Sequence, residues 1–161
     1  INSPDPQKAE NSNNNMEVNQ YTLKDTTVDT SSKEEIITQN KDNINIPLNN
    51  HEILMINEVY DEYAQQFIFD NPNKLKSIKN ILRNRVRIYE EKIKDLSNLQ
   101  KLSQVPLFKT FNNRLKRDIV FNPNTFNPLK YDFNYNSRDK TKRYRVDNTN
   151  YVIVIYSQYH L

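Results

Sequence analysis

The chain reads as an α+β protein: a helical hairpin of two to three helices followed by a small antiparallel β-sheet, behind a disordered acidic N-terminal arm. Three observations predict this. Apolar residues recur every three or four positions from Ile53 onward, the period becomes two after Leu129, and residues 1–48 keep neither period. The 161 residues amount to one domain with a tail.

The arm, 1–48, is built of scattered Ser, Thr, Asn and Asp with the run Asn11-Ser12-Asn13-Asn14-Asn15. Such a segment buries too little apolar surface to offset its ordering entropy. Its apolar islands, Ile36-Ile37 and Ile44-Asn45-Ile46-Pro47-Leu48, are expected to lie extended along the domain or a partner. The interaction domain is assigned to 49–161.

The first helix, about 50–69, opens on Asn49 with Glu52 three residues later, the pattern of a capping box. Ile53, Ile56, Tyr60, Tyr63 and Phe67 form its apolar stripe, opposite the polar Glu52, Glu58, Asp61, Glu62 and Gln65. Asp70-Asn71-Pro72-Asn73 stops it, because proline disfavours helical geometry in the residue before it. The second helix, about 72–104, is expected from the stripe Leu75, Ile78, Leu82, Val86, Tyr89, Ile93, Leu96 and Leu99. A third, about 107–118, rests on Leu107, Phe108, Phe111 and Leu115.

Strands are expected over about 129–135, 142–146 and 151–159. Leu129, Tyr131, Phe133 and Tyr135 alternate with polar residues, as a half-buried strand does. Asp147-Asn148-Thr149-Asn150 supplies the turn before Tyr151-Val152-Ile153-Val154-Ile155-Tyr156, a run apolar on both faces.

Composition excludes much chemistry. With no Gly, the chain lacks Gly-rich phosphate loops, the dinucleotide fingerprint and the nucleophile elbow. With no Cys it has no disulfide, thiol nucleophile or thiolate metal site. His51 and His160 have no neighbouring ligand pattern, and the adjacent carboxylates Asp61-Glu62 and Glu90-Glu91 face different directions on a helix. No catalytic residue, metal or cofactor is assigned. No apolar run approaches the roughly 18 residues of a membrane span. The chain opens on Ile1-Asn2-Ser3-Pro4 without Met, as a fragment or processed product would. The absence of Cys fits the nucleus or cytoplasm.

Charge is segregated. Residues 1–50 carry a net −4 and 51–73 a net −5, against +9 over 74–119 and +3 over 120–161. Together with the surplus of apolar surface, this points to a non-catalytic adaptor or structural subunit of a eukaryotic multiprotein assembly. Partner proteins, or a second copy, are expected at Leu96, Leu99, Phe108, Phe111, Tyr151, Ile153 and Ile155. A partner is also expected to cover Val152, Val154 and Tyr156, or to add a strand beside them. Arg83, Arg85 and Arg87 are expected to meet an acidic partner. The alternative is nucleic-acid binding by the basic segments 74–117 and 138–145, where Lys140, Lys142, Arg143 and Arg145 interleave with Tyr144.

Overall fold

A computed structural model describes residues 41–92, 98–136 and 140–158. The arm up to residue 40, Leu96 and the last three residues lie outside the described residues. The fold is α+β, with helices first and a small four-stranded sheet after them.

Helix α1 spans Asn50–Tyr60, and its capping box forms as expected. The Asn49 side chain accepts from the Glu52 amide at 2.8 Å, and Glu52 Oε1 accepts from the Asn49 amide at 3.0 Å. The helix is shorter than the expected 50–69. At Asp61 the backbone turns to φ 50°, and the chain continues as a tight turn over Asp61–Tyr63 and a wide turn over Gln65–Phe69. In a chain without glycine, the three positive φ values among the described residues fall on Asp61, Asn134 and Asn148. Asp and Asn are the residue types that best tolerate that geometry. The break re-aims the stripe. Met55, Ile56, Val59 and Tyr60 face the core, followed by Ala64 and Ile68, while Tyr63 and Phe67 point outward.

Helix α2 spans Pro72–Asn80, capped by Asn71, whose side chain accepts from the Lys74 amide. A wide turn over Ile81–Arg85 follows, and then the chain becomes strand β1, Val86–Glu90. The expected helix over 72–104 is therefore corrected. Leu82, Val86 and Tyr89 do lie at helical spacing, but Val86-Arg87-Ile88-Tyr89 also has period two and two β-branched residues. Pairing with a distant strand decides between the readings, and propensity alone does not see that strand.

Strand β2 is the short Gln100–Lys101, β3 is Lys142–Arg145 and β4 is Tyr151–Ile155, in the order β1-β4-β3-β2. β4 is antiparallel to both β1 and β3, with Ile153 opposite Ile88 on one side and Tyr144 on the other. β2 runs parallel to β3, so the sheet is mixed and not wholly antiparallel. The turn between β3 and β4 places Asn148 at φ 60°, as its sequence predicts. The third helix expected over 107–118 is absent. After Pro106 the chain is irregular, with Leu107 bridged to Tyr131, and Asn112-Asn113 in place of helix formers. The strand expected over 129–135 is likewise a short turn, Pro128–Lys130, followed by the single bridge at Tyr131. Its alternation survives in burial alone: Leu129, Tyr131 and Phe133 are inside, Asp132 and Asn134 outside.

Two apolar clusters flank the sheet. Val86, Ile88, Tyr144, Ile153 and Ile155 join α1, α2 and the 102–133 loop in the main core. On the other face Tyr89, Val152, Val154 and Tyr156 form a smaller cluster with Leu99 against it, and the two tyrosine hydroxyls meet at 2.6 Å.

Candidate functional site

Sequence features at the break after α1 create an aromatic ledge. Tyr63 and Phe67 stand four positions apart on the outward side of the two turns, each 40% exposed. The two rings are 6.0 Å apart, and Phe111, from the irregular loop, completes a triangle with ring centroids 5.7 Å from Tyr63 and 5.1 Å from Phe67. Tyr60 lies 4.9 Å from Phe111 beneath, and Phe108 closes the group at 6.0 Å from both. All these pairs are tilted by 38° to 58°, intermediate between stacked and edge-to-face packing. Burial alone pushes the Tyr60 hydroxyl above its usual range, which keeps it neutral.

The loop is pinned where it carries Phe111. The Phe108 amide donates to the Lys130 carbonyl at 2.7 Å, and Asn112 Nδ2 donates to the Glu58 carbonyl at 2.8 Å. Arg114 pairs with Asp61 at 2.8 Å, an exposed contact at the ledge's edge. Charged residues of both signs neighbour the rings in sequence, Glu58, Asp61 and Glu62 on the helix side and Lys109 and Arg114 on the loop side, with Asp61 and Arg114 paired to each other.

Of the residues expected to contact partners, the structure brings Phe108 and Phe111 together here and leaves both half-buried. The others lie elsewhere. Ile153 and Ile155 are core residues, exposed by 0% and 4%, with no surface for a partner to touch. Tyr151 is half-buried against Phe121, ring centroids 5.3 Å apart. Leu99 is half-buried under the second face of the sheet. The strand expected to be added beside β4 has no edge to take, because β1 and β3 occupy both; Val152, Val154 and Tyr156 are buried. Tyr63 and Phe67 were expected inside the stripe, and only the break at Asp61, which no local signal marks, turns them out.

The arginines also behave differently from expectation. Arg83 donates to both Glu52 oxygens at 2.7 and 2.8 Å, a buried two-pronged ion pair. It donates as well to the carbonyls of Asn43, Ile46 and Pro47. It therefore straps residues 43–47 onto the domain, where the apolar island Ile44–Leu48 is expected to lie, although Lys41–Asn45 form a tight turn and are not extended. Arg85 donates to the carbonyls of Tyr156 and Tyr135, and Arg87 to those of Val86 and Arg83. Arg143 pairs with Glu91, while Lys142 and Arg145 are half-buried and Lys140 is exposed. Four of the seven expected cations are thus engaged by the protein itself.

A second exposed feature is the loop tip Ile119-Val120, 100% and 80% exposed. It borders a cavity of about 450 Å³ walled by Phe121, Tyr131, Val146 and Asp147. The Tyr131 hydroxyl donates to Asp118 at 2.8 Å. Burial, reinforced by Asp118, pushes that phenol up to about 12. Asp147 accepts from the Ser103 hydroxyl and amide; against the upward push of burial, these bonds together with its own amide and Lys101 hold its carboxyl below the usual range. Among the described residues no cluster of His, Asp or Glu could hold a metal ion, and no helix is long and apolar enough to cross a membrane. Compared with family models, curated proteins and solved structures, the chain matches none.

Proposed function

We propose that the chain is a non-catalytic subunit or adaptor of a multiprotein assembly, and that it docks a partner protein on the ledge formed by Tyr63, Phe67, Phe108 and Phe111. The observation that carries this reading is the contiguity of the four rings with Tyr63 and Phe67 open to solvent. An aromatic centre within a polar rim is the anatomy of protein interfaces, where Tyr and other aromatic anchors dominate the binding energy. The local charge favours a protein over a nucleic acid, since Asp61 cancels Arg114 and the neighbouring Glu58 and Glu62 outnumber the cation Lys109.

The test uses the full chain with a photoreactive phenylalanine analogue at position 67, illuminated in extract of the native source after nuclease treatment. A defined protein adduct that disappears on Tyr63→Ser supports docking on the ledge. An adduct pattern identical to that of a probe at Lys140, far along the sequence, refutes it. An adduct between two copies of the chain changes the partner to a second protomer.

A further inference from the structure

Helix α2 turns Asn73, Lys76, Ser77 and Asn80, at positions i, i+3, i+4 and i+7, toward one cavity of about 410 Å³. Across it lie Arg85 and the segment Ser157-Gln158 that follows β4. The lining is rich in amides and hydroxyls and holds two cations, and among the described residues no carboxylate lines it.

Arg85 is the unusual member. It is 7% exposed, yet its Nε and Nη2 donate to the neutral carbonyls of Tyr156 (2.9 Å) and Tyr135 (2.8 Å), and no described acid pairs with it. A buried guanidinium without an anion is costly, and burial accordingly holds Arg85 below its ordinary range. The surroundings add more positive charge. Lys79, next on α2, is held below the usual lysine range by burial and then by Arg83 and Lys76, against the opposing pull of Glu52. The amides are set in place as well: Asn43 donates to Asn84, and Asn84 donates to the Asn80 oxygen, each at 2.9 Å.

We infer that this cavity binds the phosphoryl group of a small phosphorylated molecule, held by Arg85 and Lys76 with amide and hydroxyl donors from α2 and Ser157. A dianion with several acceptor oxygens matches two cations among neutral donors, and arginine is the residue suited to such planar, charge-assisted contacts. The site is separate from the ledge, and the proposal stands whether or not the ledge docks a protein.

The experiment is an NMR titration of the isotope-labelled full chain with inorganic pyrophosphate, at ionic strength matched with chloride. Saturable shifts centred on Lys76, Ser77, Asn80 and Ser157 are expected, weakened at least about tenfold by Lys76→Glu. Arg85 also braces Tyr135 and Tyr156, so its replacement risks unfolding; Lys76, exposed on the helix, carries the test. Absence of saturable shifts, equal shifts with chloride alone, or unchanged affinity in Lys76→Glu would overturn the inference. So would a single-stranded oligonucleotide that displaces pyrophosphate and binds more tightly, because the phosphates would then belong to a polymer.

Discussion

Strand β4 and the aromatic ledge are both richer in apolar side chains than an ordinary surface, but only the ledge reaches solvent. In β4 the run Val152-Ile153-Val154-Ile155 is enclosed on both faces and hydrogen-bonded along both edges. On the ledge, Tyr63 and Phe67 stay open although their ring partners are packed and the loop beneath them is tied down. The difference teaches that apolar content alone does not mark a docking surface. A continuous apolar run satisfies itself by becoming the centre of a sheet. Apolar residues that a backbone break has turned away from the core have no such recourse.

The comparison breaks if the enclosed elements tolerate damage as well as the ledge does. Arg83→Ala leaves Glu52 buried at 2% exposure and releases residues 43–47, so a loss of about 3–5 kcal/mol in urea-induced unfolding is expected. Ile153→Ala, at the middle of β4, is expected to cost about 2–5 kcal/mol by the same measurement. Asn127→Ala removes donors to the Met55 carbonyl and Glu58 and an acceptor for the Leu129 amide, with an expected loss of about 1–3 kcal/mol. Phe67→Ser on the ledge should change stability by about 1 kcal/mol or less, and Tyr63→Ser should remove the adduct cross-linked from position 67. A drop for Phe67→Ser as large as that for Ile153→Ala would make the ledge part of the core.

Alkaline pH sharpens the same contrast. The Tyr131 phenol is raised from 10.0 to about 12 in the folded chain, so the folded state holds its proton more tightly than the unfolded state. Its contribution is complete below pH 10 and is lost as pH rises through about 12. Stability measured across that window should fall less steeply in Tyr131→Phe than in the parent chain. Equal slopes would mean that Tyr131 titrates like a solvent-facing phenol.

How much of this was legible in the sequence depends on whether the deciding contact is local. The Asn49–Glu52 box, the Asn148 turn and strands β3 and β4 rest on neighbours in sequence, and each appears where its pattern predicts. β1 is hidden, because Val86 and Tyr89 fit a helical stripe while Val86 and Ile88 fit an alternating one, and the partner that decides is the distant Tyr151–Ile155. The aromatic loop departs from its helical spacing for a related reason. Phe108 and Phe111 have helical spacing, but they are placed by Asn112 reaching Glu58 and by the Lys130 carbonyl. Of the site, Phe108 and Phe111 could be picked out as exposed-surface candidates, whereas Tyr63 and Phe67 needed the φ of one aspartate. Segregated charge foretold attraction between front and back; it did not foretell that Arg83 would hold residues 43–47.

The central position of β4 has a consequence for synthesis. β1 leaves the ribosome long before its only described sheet partner, Tyr151–Ile155, has been translated. Until then Val86, Ile88 and Tyr89 cannot be sheltered by that pairing, and the nascent polypeptide carries an adhesive segment that invites chaperone capture or premature clumping.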